Sequence, residues 1–224
     1  LRSREPTTVL AEPYNTLILD SKAWKNPIPE LPELSPVKNI AAYVDRKLFI
    51  HNLGHAAAAY LGYARLPQCT FLWEVLEERE VFTTAQRAME CSAEALRQAY
   101  PDSFRREQLE EHIRDLLHRF RNRALGDTLH RVGRDLPRKL AYSDRIVGSL
   151  RLAESYDVDL KPLLEVYARA LEFKAPDEKG ELFPADERFH EELRRQGVEY
   201  ALAEVSGLTR GSPLYRKLAA RVAK

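Results

Sequence analysis

Four polar side chains, Lys47, His51, Asn52 and His55, fall inside Val44–Tyr60, VDRKLFIHNLGHAAAAY, where most other positions are apolar. At about 100° per residue they lie at about 0°, 40°, 140° and 80° around an α-helix, on one broad face. The apolar remainder predicts a helix buried on several sides, and polar groups in such a setting need partners or a use. Lys47 and Asn52 are about 7.5 Å apart along the axis, so they do not touch, but a small bound group fits between them. A lysine in a low-dielectric pocket loses part of its preference for the charged form and can take a proton from an alcohol near neutral pH. An asparagine amide can donate to the resulting alkoxide, and His55 can bind a hydroxyl or orient its neighbours.

Two other readings of the same residues stay open. In one, Lys47 snorkels to water while Asn52 and His55 satisfy neighbouring groups of their own helix. In the other, His51 and His55 hold zinc, since their i, i+4 spacing is that of HExxH. Asn52 stands where that motif needs glutamate and no third ligand is evident, so no metal is expected.

A second group lies in Arg131–Lys139, RVGRDLPRK, continued by LAYSDR to Arg145. Arg131, Arg134, Arg138, Lys139 and Arg145 can clamp hydroxyls and a phosphate by charge-assisted hydrogen bonds. Asp135 and Asp144 can equally neutralise them within an ordinary salt-bridge cluster.

The elements that must position these groups are mostly helical. Residues 7 to 19 mix β-branched and aromatic residues around Pro13 and predict one or two short strands. Pro27, Pro29, Pro32 and Pro36 then favour an extended surface crossing. Apolar positions from Lys38 to Leu61 predict a long helix capped by Gly62, and a second helical region covers Leu72–Tyr100 until Pro101 stops it. Leu109, Ile113, Leu116, Leu117 and Phe120 mark an amphipathic helix over 107–125. Ser143 is placed to cap a helix to Ser155, and Asp159 with Pro162 to open another. Asp186 is read as preceding a helix closed by Gly197, and Ser212–Pro213 as starting the last one. The fold expected is mainly α, a multi-helical bundle with a minor β element near the N-terminus, in one domain over 1–224.

The run DRKLFIHNLGHAAAAYLG, with Lys47, Asn52 and His55 spelling KxxxxNxxH, closely resembles the signature of the long-chain mannitol dehydrogenase family, in particular its mannitol-1-phosphate 5-dehydrogenase branch. RVGRDLPRK is similar to the basic turn of that family, RVGRxPxRKL, with the proline one position later at Pro137. VLAEPYNTLILD at Val9–Asp20 and, more weakly, VEYALAEVSGL at Val198–Leu208 extend the likeness over nearly the whole chain. The resemblance implies a largely helical substrate domain that works beside an N-terminal Rossmann domain, without a metal. It implies Lys47 as general acid/base, Asn52 at an oxyanion site and His55 in contact with substrate. Arg131 and Lys139 keep the eight-residue spacing of an arginine–lysine pair in related enzymes and are the expected substrate contacts, with Arg138 the phosphate candidate. The implied reaction interconverts D-mannitol 1-phosphate and D-fructose 6-phosphate with NAD(H). Fructuronate or tagaturonate reductase and mannitol 2-dehydrogenase activities are the alternatives within the family.

Composition is compatible with this and excludes little else. With 35 basic and 34 acidic residues the charges nearly cancel, so nothing points to nucleic acid or a membrane surface as partner. No apolar run approaches the roughly 18 residues of a spanning helix. Cys69 and Cys91 are too few for a disulfide framework, which makes a reducing cytoplasm the expected compartment, with local pairing open. None of the nine glycines forms GxGxxG or GxxxxGK[ST]. The NAD site, and with it the Rossmann domain, is therefore expected outside this chain, which starts without methionine directly before a strand-like run. A helical interaction module, with the Lys47 helix structural and the basic turn docking an acidic partner, is the non-enzyme alternative.

Overall fold

The computed structural model describes residues 16–223. Two short strands, β1 (Leu17–Asp20) and β2 (Leu34–Val37), pair in parallel, Leu17 opposite Leu34 and Asp20 opposite Val37. Parallel pairing demands a long crossover, and residues 21–33, with three of the four prolines, supply it. β2 comes from the stretch read as a plain surface crossing. Its Pro36 is tolerated because both strands of a two-stranded sheet are edges. Of the strand expected over 7–19, residues 17–19 are in β1 and 7–15 lie outside the described residues.

Everything after β2 is helical or connects helices. The helix expected over 38–61 runs from Ile40 to Arg65: α1 (Ile40–Arg46), one π turn (Lys47–Asn52) and α2 (Leu53–Arg65). At the end of the π turn the Leu53 N–H donates to the Leu48 carbonyl, five residues back. Gly62 does not cap this helix. It is buried inside α2, where its missing side chain admits Val75 of α3 (Leu72–Val75). Leu66 ends the helix instead.

The next helical region is broken rather than continuous. After α3 the chain turns, and α4 (Arg79–Ala99) restarts with the Glu78 carboxylate accepting from the Val81 N–H at 2.8 Å. α5 (Arg106–Phe120) buries all five expected apolar positions and stops at Phe120, followed by a single 3₁₀ turn at Arg123–Leu125. α6 (Leu129–Gly133) and α7 (Leu136–Lys139) carry the basic turn. α8 (Val147–Ser155) begins four residues after Ser143, which is not its cap. α9 (Lys161–Glu172), α10 (Pro184–Gln196), a second π turn (Tyr200–Val205) and α11 (Pro213–Val222) complete the order. Asp186 lies in the first turn of α10 rather than before it. Among the described residues no helix is long and apolar enough to cross a membrane.

α2 is the axis of the bundle, touching α3, α4, α6 and α9. Ala56, Ala57, Ala58, Ala59 and Tyr60 are buried on every side; alanine is what lets several helices approach one. The Tyr60 hydroxyl donates to the Gly133 carbonyl at 2.8 Å, and its ring meets Phe173 edge-on at 5.1 Å.

Gly62→Ala tests this packing. An added Cβ would fall 2.6 Å from Val75 Cβ, and a β-branched neighbour in a helix has little rotamer freedom with which to move. Alanine is the better helix former by about 1 kcal/mol, so a propensity effect alone would stabilise. We expect a net loss of about 1–2 kcal/mol in chemical unfolding; a gain would mean that α3 yields.

Candidate active site

Lys47 and His51 project from the π turn into a cleft of about 490 Å³. Ile18 of β1, Tyr43 and Arg46 of α1, and His112, Asp115 and Arg119 of α5 complete its walls. Lys47 is exposed and makes no hydrogen bond or ion pair to the described residues, so the enclosed low-dielectric pocket expected for it is not formed by them. His112 sits deeper. Burial, assisted by the nearby Arg46, His51 and Arg119 charges, pushes it down to about 4, so it is neutral at neutral pH.

The π turn alters the geometry read from an ideal helix. Its i→i+5 hydrogen bonding widens the turn and lowers the rotation per residue below that of an α-helix, which brings Asn52 round toward the side of Lys47. Asn52 is half-buried, and its amide makes no hydrogen bond to the described residues. The two ends of the KxxxxN spacing thus both present unengaged polar groups.

His55 is held differently. Its ring stacks on Phe120 at 4.7 Å and 16° from parallel, while Nε2 lies 2.9 Å from Asp127 Oδ2. The His51 ring is 6.3 Å from that of His55 and 5.7 Å from Phe120, linking this arrangement to the Lys47 cleft. The other Asp127 oxygen pairs with Arg131. Asp127 is only 8 % exposed whereas Arg131 is 59 % exposed, so the carboxylate is the buried anchor and the guanidinium its surface arm. Backbone bonds fix that anchor: the Leu72 N–H donates to the Asp127 carbonyl, the Leu129 N–H to the Thr70 carbonyl, and Thr128 Oγ1 caps α6 through the Arg131 N–H. One carboxylate therefore joins His55 of the first motif to Arg131 of the second.

The rest of the basic turn is neutralised from within. Arg138 donates to Asp135 Oδ2 at 2.5 Å and lies 3.8 Å from Asp144, while Arg145 donates to Asp144 at 2.7 Å. Lys139 does not stand beside Arg138 on the surface. It is 4 % exposed and donates its ammonium to the Arg134 carbonyl. Burial first, then the Arg145 and Arg138 charges, push it down to about 7. Among the described residues the buried lysine is thus Lys139 rather than Lys47. Asp186, also buried, accepts from the Asp135 and Leu136 N–H groups, and burial raises its pKa.

Asp127, Asp186 and His112 were not legible as site residues. Asp127 precedes a Thr cap and Asp186 lies near a helix start, so both look like ordinary helix punctuation. His112 is one polar position on an amphipathic helix. Only partners far along the chain distinguish them.

Lys139 gives a pH test. Below about pH 7 it is charged both folded and unfolded, and the folded state carries the cost of burying it. Between about 7 and the ordinary lysine value of 10.5 the folded state is neutral while the unfolded chain still binds the proton, so unfolding takes up a proton and stability rises with pH. Wild type should gain stability relative to Lys139→Met from pH 7 to 10 in parallel chemical unfolding series. Parallel curves would show that Lys139 keeps its water.

Residues 39–223 match the family model for the mannitol dehydrogenase C-terminal domain. The fold is similar to that of a D-sorbitol dehydrogenase solved in substrate-free form, with a TM-score of 0.62 at 18% identity over 88% of this chain and 42% of that one. It is also similar to a Pseudomonas fluorescens mannitol 2-dehydrogenase solved as a ternary complex with NAD and D-mannitol, with a TM-score of 0.55 at 19% identity over 86% of this chain and 40% of that one. The chain thus spans about two fifths of the length of each. With the family model covering the helical bundle from the start of α1 to the end of α11, this chain belongs to the mannitol dehydrogenase C-terminal domain family.

Proposed function

We propose that this chain is the substrate-binding and proton-transferring part of an NAD-dependent polyol dehydrogenase that interconverts D-mannitol 1-phosphate and D-fructose 6-phosphate. The observation that carries the reading is the pair Lys47 and Asn52, unengaged on one π turn, with Lys47 but not Asn52 lining the cleft, in a chain whose family model includes them. Single π turns inside α-helices are frequent at functional sites. Water satisfies the exposed Lys47 in a purely structural helix as well, so the half-buried Asn52 amide without a partner is the part of the pair that such a helix does not account for.

The residues of this chain do not fit a dinucleotide cradle, since no glycine-rich turn opens a helix here. We assign the nicotinamide to a companion N-terminal Rossmann domain and derive only the proton chemistry. Lys47 takes the proton from the substrate hydroxyl during oxidation and returns it during reduction. The Asn52 amide donates to the oxygen that carries the developing charge, and His55, held by Asp127, contacts and orients the substrate. A lysine works as a base near neutral pH when water is removed around it. Lys47 is exposed in this chain, so that desolvation is assigned to the substrate and companion domain closing over the cleft. Arg131 is the proposed contact for substrate hydroxyls and Arg138 that for the phosphate; Lys139 joins Arg131 in the proposal only by leaving the Arg134 carbonyl to which its buried ammonium donates.

One observation favours a second reading of the substrate. Arg138 already faces two carboxylates and Lys139 a carbonyl, which weakens their pull on a phosphate and suits a polyol without one, as does the likeness to a mannitol 2-dehydrogenase.

In the protein assayed with its companion domain, Lys47→Ala should lower kcat by about 10²–10⁴-fold with KM largely kept, because proton transfer is a demand of the transition state. Small amines should restore part of the rate. Near-normal turnover across pH would remove Lys47 from the chemistry and favour an interaction module. Arg138→Ala should penalise mannitol 1-phosphate over mannitol by roughly ten- to a hundredfold, the value of a charge-assisted contact. Equal losses for both substrates would favour the polyol without phosphate.

A further inference from the structure

The first turn of α10 sends one side chain away from its own helix. Asp186 is 4 % exposed, and its two oxygens are divided between two amides of the basic turn: Oδ2 accepts from the Asp135 N–H at 3.0 Å and Oδ1 from the Leu136 N–H at 2.6 Å. These amides open α7, too short to hold its own start. Asp135 has φ 72 and ψ 54, a left-handed conformation that residues other than glycine adopt at a cost. Something must hold it there. Its own side chain makes no cap and is turned instead to Arg138 Nε, at 2.5 Å. The carboxylate that supports Arg138 is therefore set by a backbone that Asp186 supports from 50 residues away.

We propose that Asp186 is a positioning residue for recognition of an anionic substrate: by fixing the Asp135–Leu136 backbone it fixes the carboxylate against which Arg138 lies, and so where that half-exposed guanidinium meets the phosphate of a sugar-alcohol phosphate. This rests on the function proposed above. Aspartate suits the task because it has one acceptor oxygen for each N–H. Asparagine has nearly the same volume but only one acceptor, and its NH₂ would face an N–H that also donates.

Asp186→Asn is the variant to measure, with Asp186→Ala beside it; if the alanine variant does not fold, the asparagine variant decides. Kinetics use mannitol 1-phosphate and the protein with its companion domain, and amide exchange is followed at Asp135 and Leu136. The proposal expects faster exchange at both amides and a KM raised about tenfold, with kcat changing far less. Faster exchange with KM unmoved, or a fall in kcat and thermal stability alone, would make Asp186 a purely structural cap and overturn the proposal while leaving the enzyme reading intact. A wild-type protein that does not turn over mannitol 1-phosphate would overturn the substrate reading, and this proposal with it.

Discussion

The burial of α2 on all sides is the constraint on which the rest of the structure depends. A helix that touches four others has room for a long side chain only where a neighbour leaves space, as at Tyr60 against Gly133 of α6, and Ala56–Ala59 with Gly62 keep it narrow enough elsewhere for α3, α4, α6 and α9 to close around it. The same burial means that, apart from the Tyr60 hydroxyl with its Gly133 partner, polar side chains are accommodated where the rod leaves the bundle. Lys47, His51, Asn52 and His55 occupy that N-terminal end, and the chain relaxes there from an α- to a π-turn. Core and candidate site are thus two ends of one helix, which ties the position of the polar groups to the packing of the alanines.

Around that end, carboxylates do the organising. Asp127 joins His55 to Arg131, Asp135 and Asp144 hold Arg138 and Arg145, and Asp186 holds the turn between α6 and α7. A row of arginines on a short turn would repel itself and splay. Each cation set against a carboxylate keeps its place instead, while Asp127 Oδ2 takes an imidazole partner and both Asp186 oxygens take backbone N–H groups. The arrangement presents Arg131 and Arg138 to water while it draws Lys139 inward. Two neighbouring cations in the sequence therefore have opposite surroundings.

The exposed Lys47 and the cleft beside it have a consistent physical meaning within the proposed function. A group that is to gain and lose a proton during turnover must communicate with water when the site is open and lose it when the site is closed. The bundle supplies the position of Lys47, and the cover is assigned to a second body.

The amino-acid sequence by itself determined the class of the fold and the stretches that matter. Helical periodicity along α5, α9 and α11 and the Ser212–Pro213 start are local signals, and local signals survive without knowledge of the partners. The polar face from Lys47 to His55 was legible for the same reason, since apolar neighbours make a polar residue conspicuous. Tertiary structure decided what the period could not. Gly62 carries the mark of a cap but is a packing contact, because its neighbour Val75 arrives from another helix. The π turn leaves no trace in an apolar pattern, yet it moves Asn52 relative to Lys47. Which lysine is buried, and that Asp127 and Asp186 each organise residues about 50 to 70 positions away, depend on how helices meet; desolvation and hydrogen-bond partners are properties of the space around a residue, and only the folded chain creates that space.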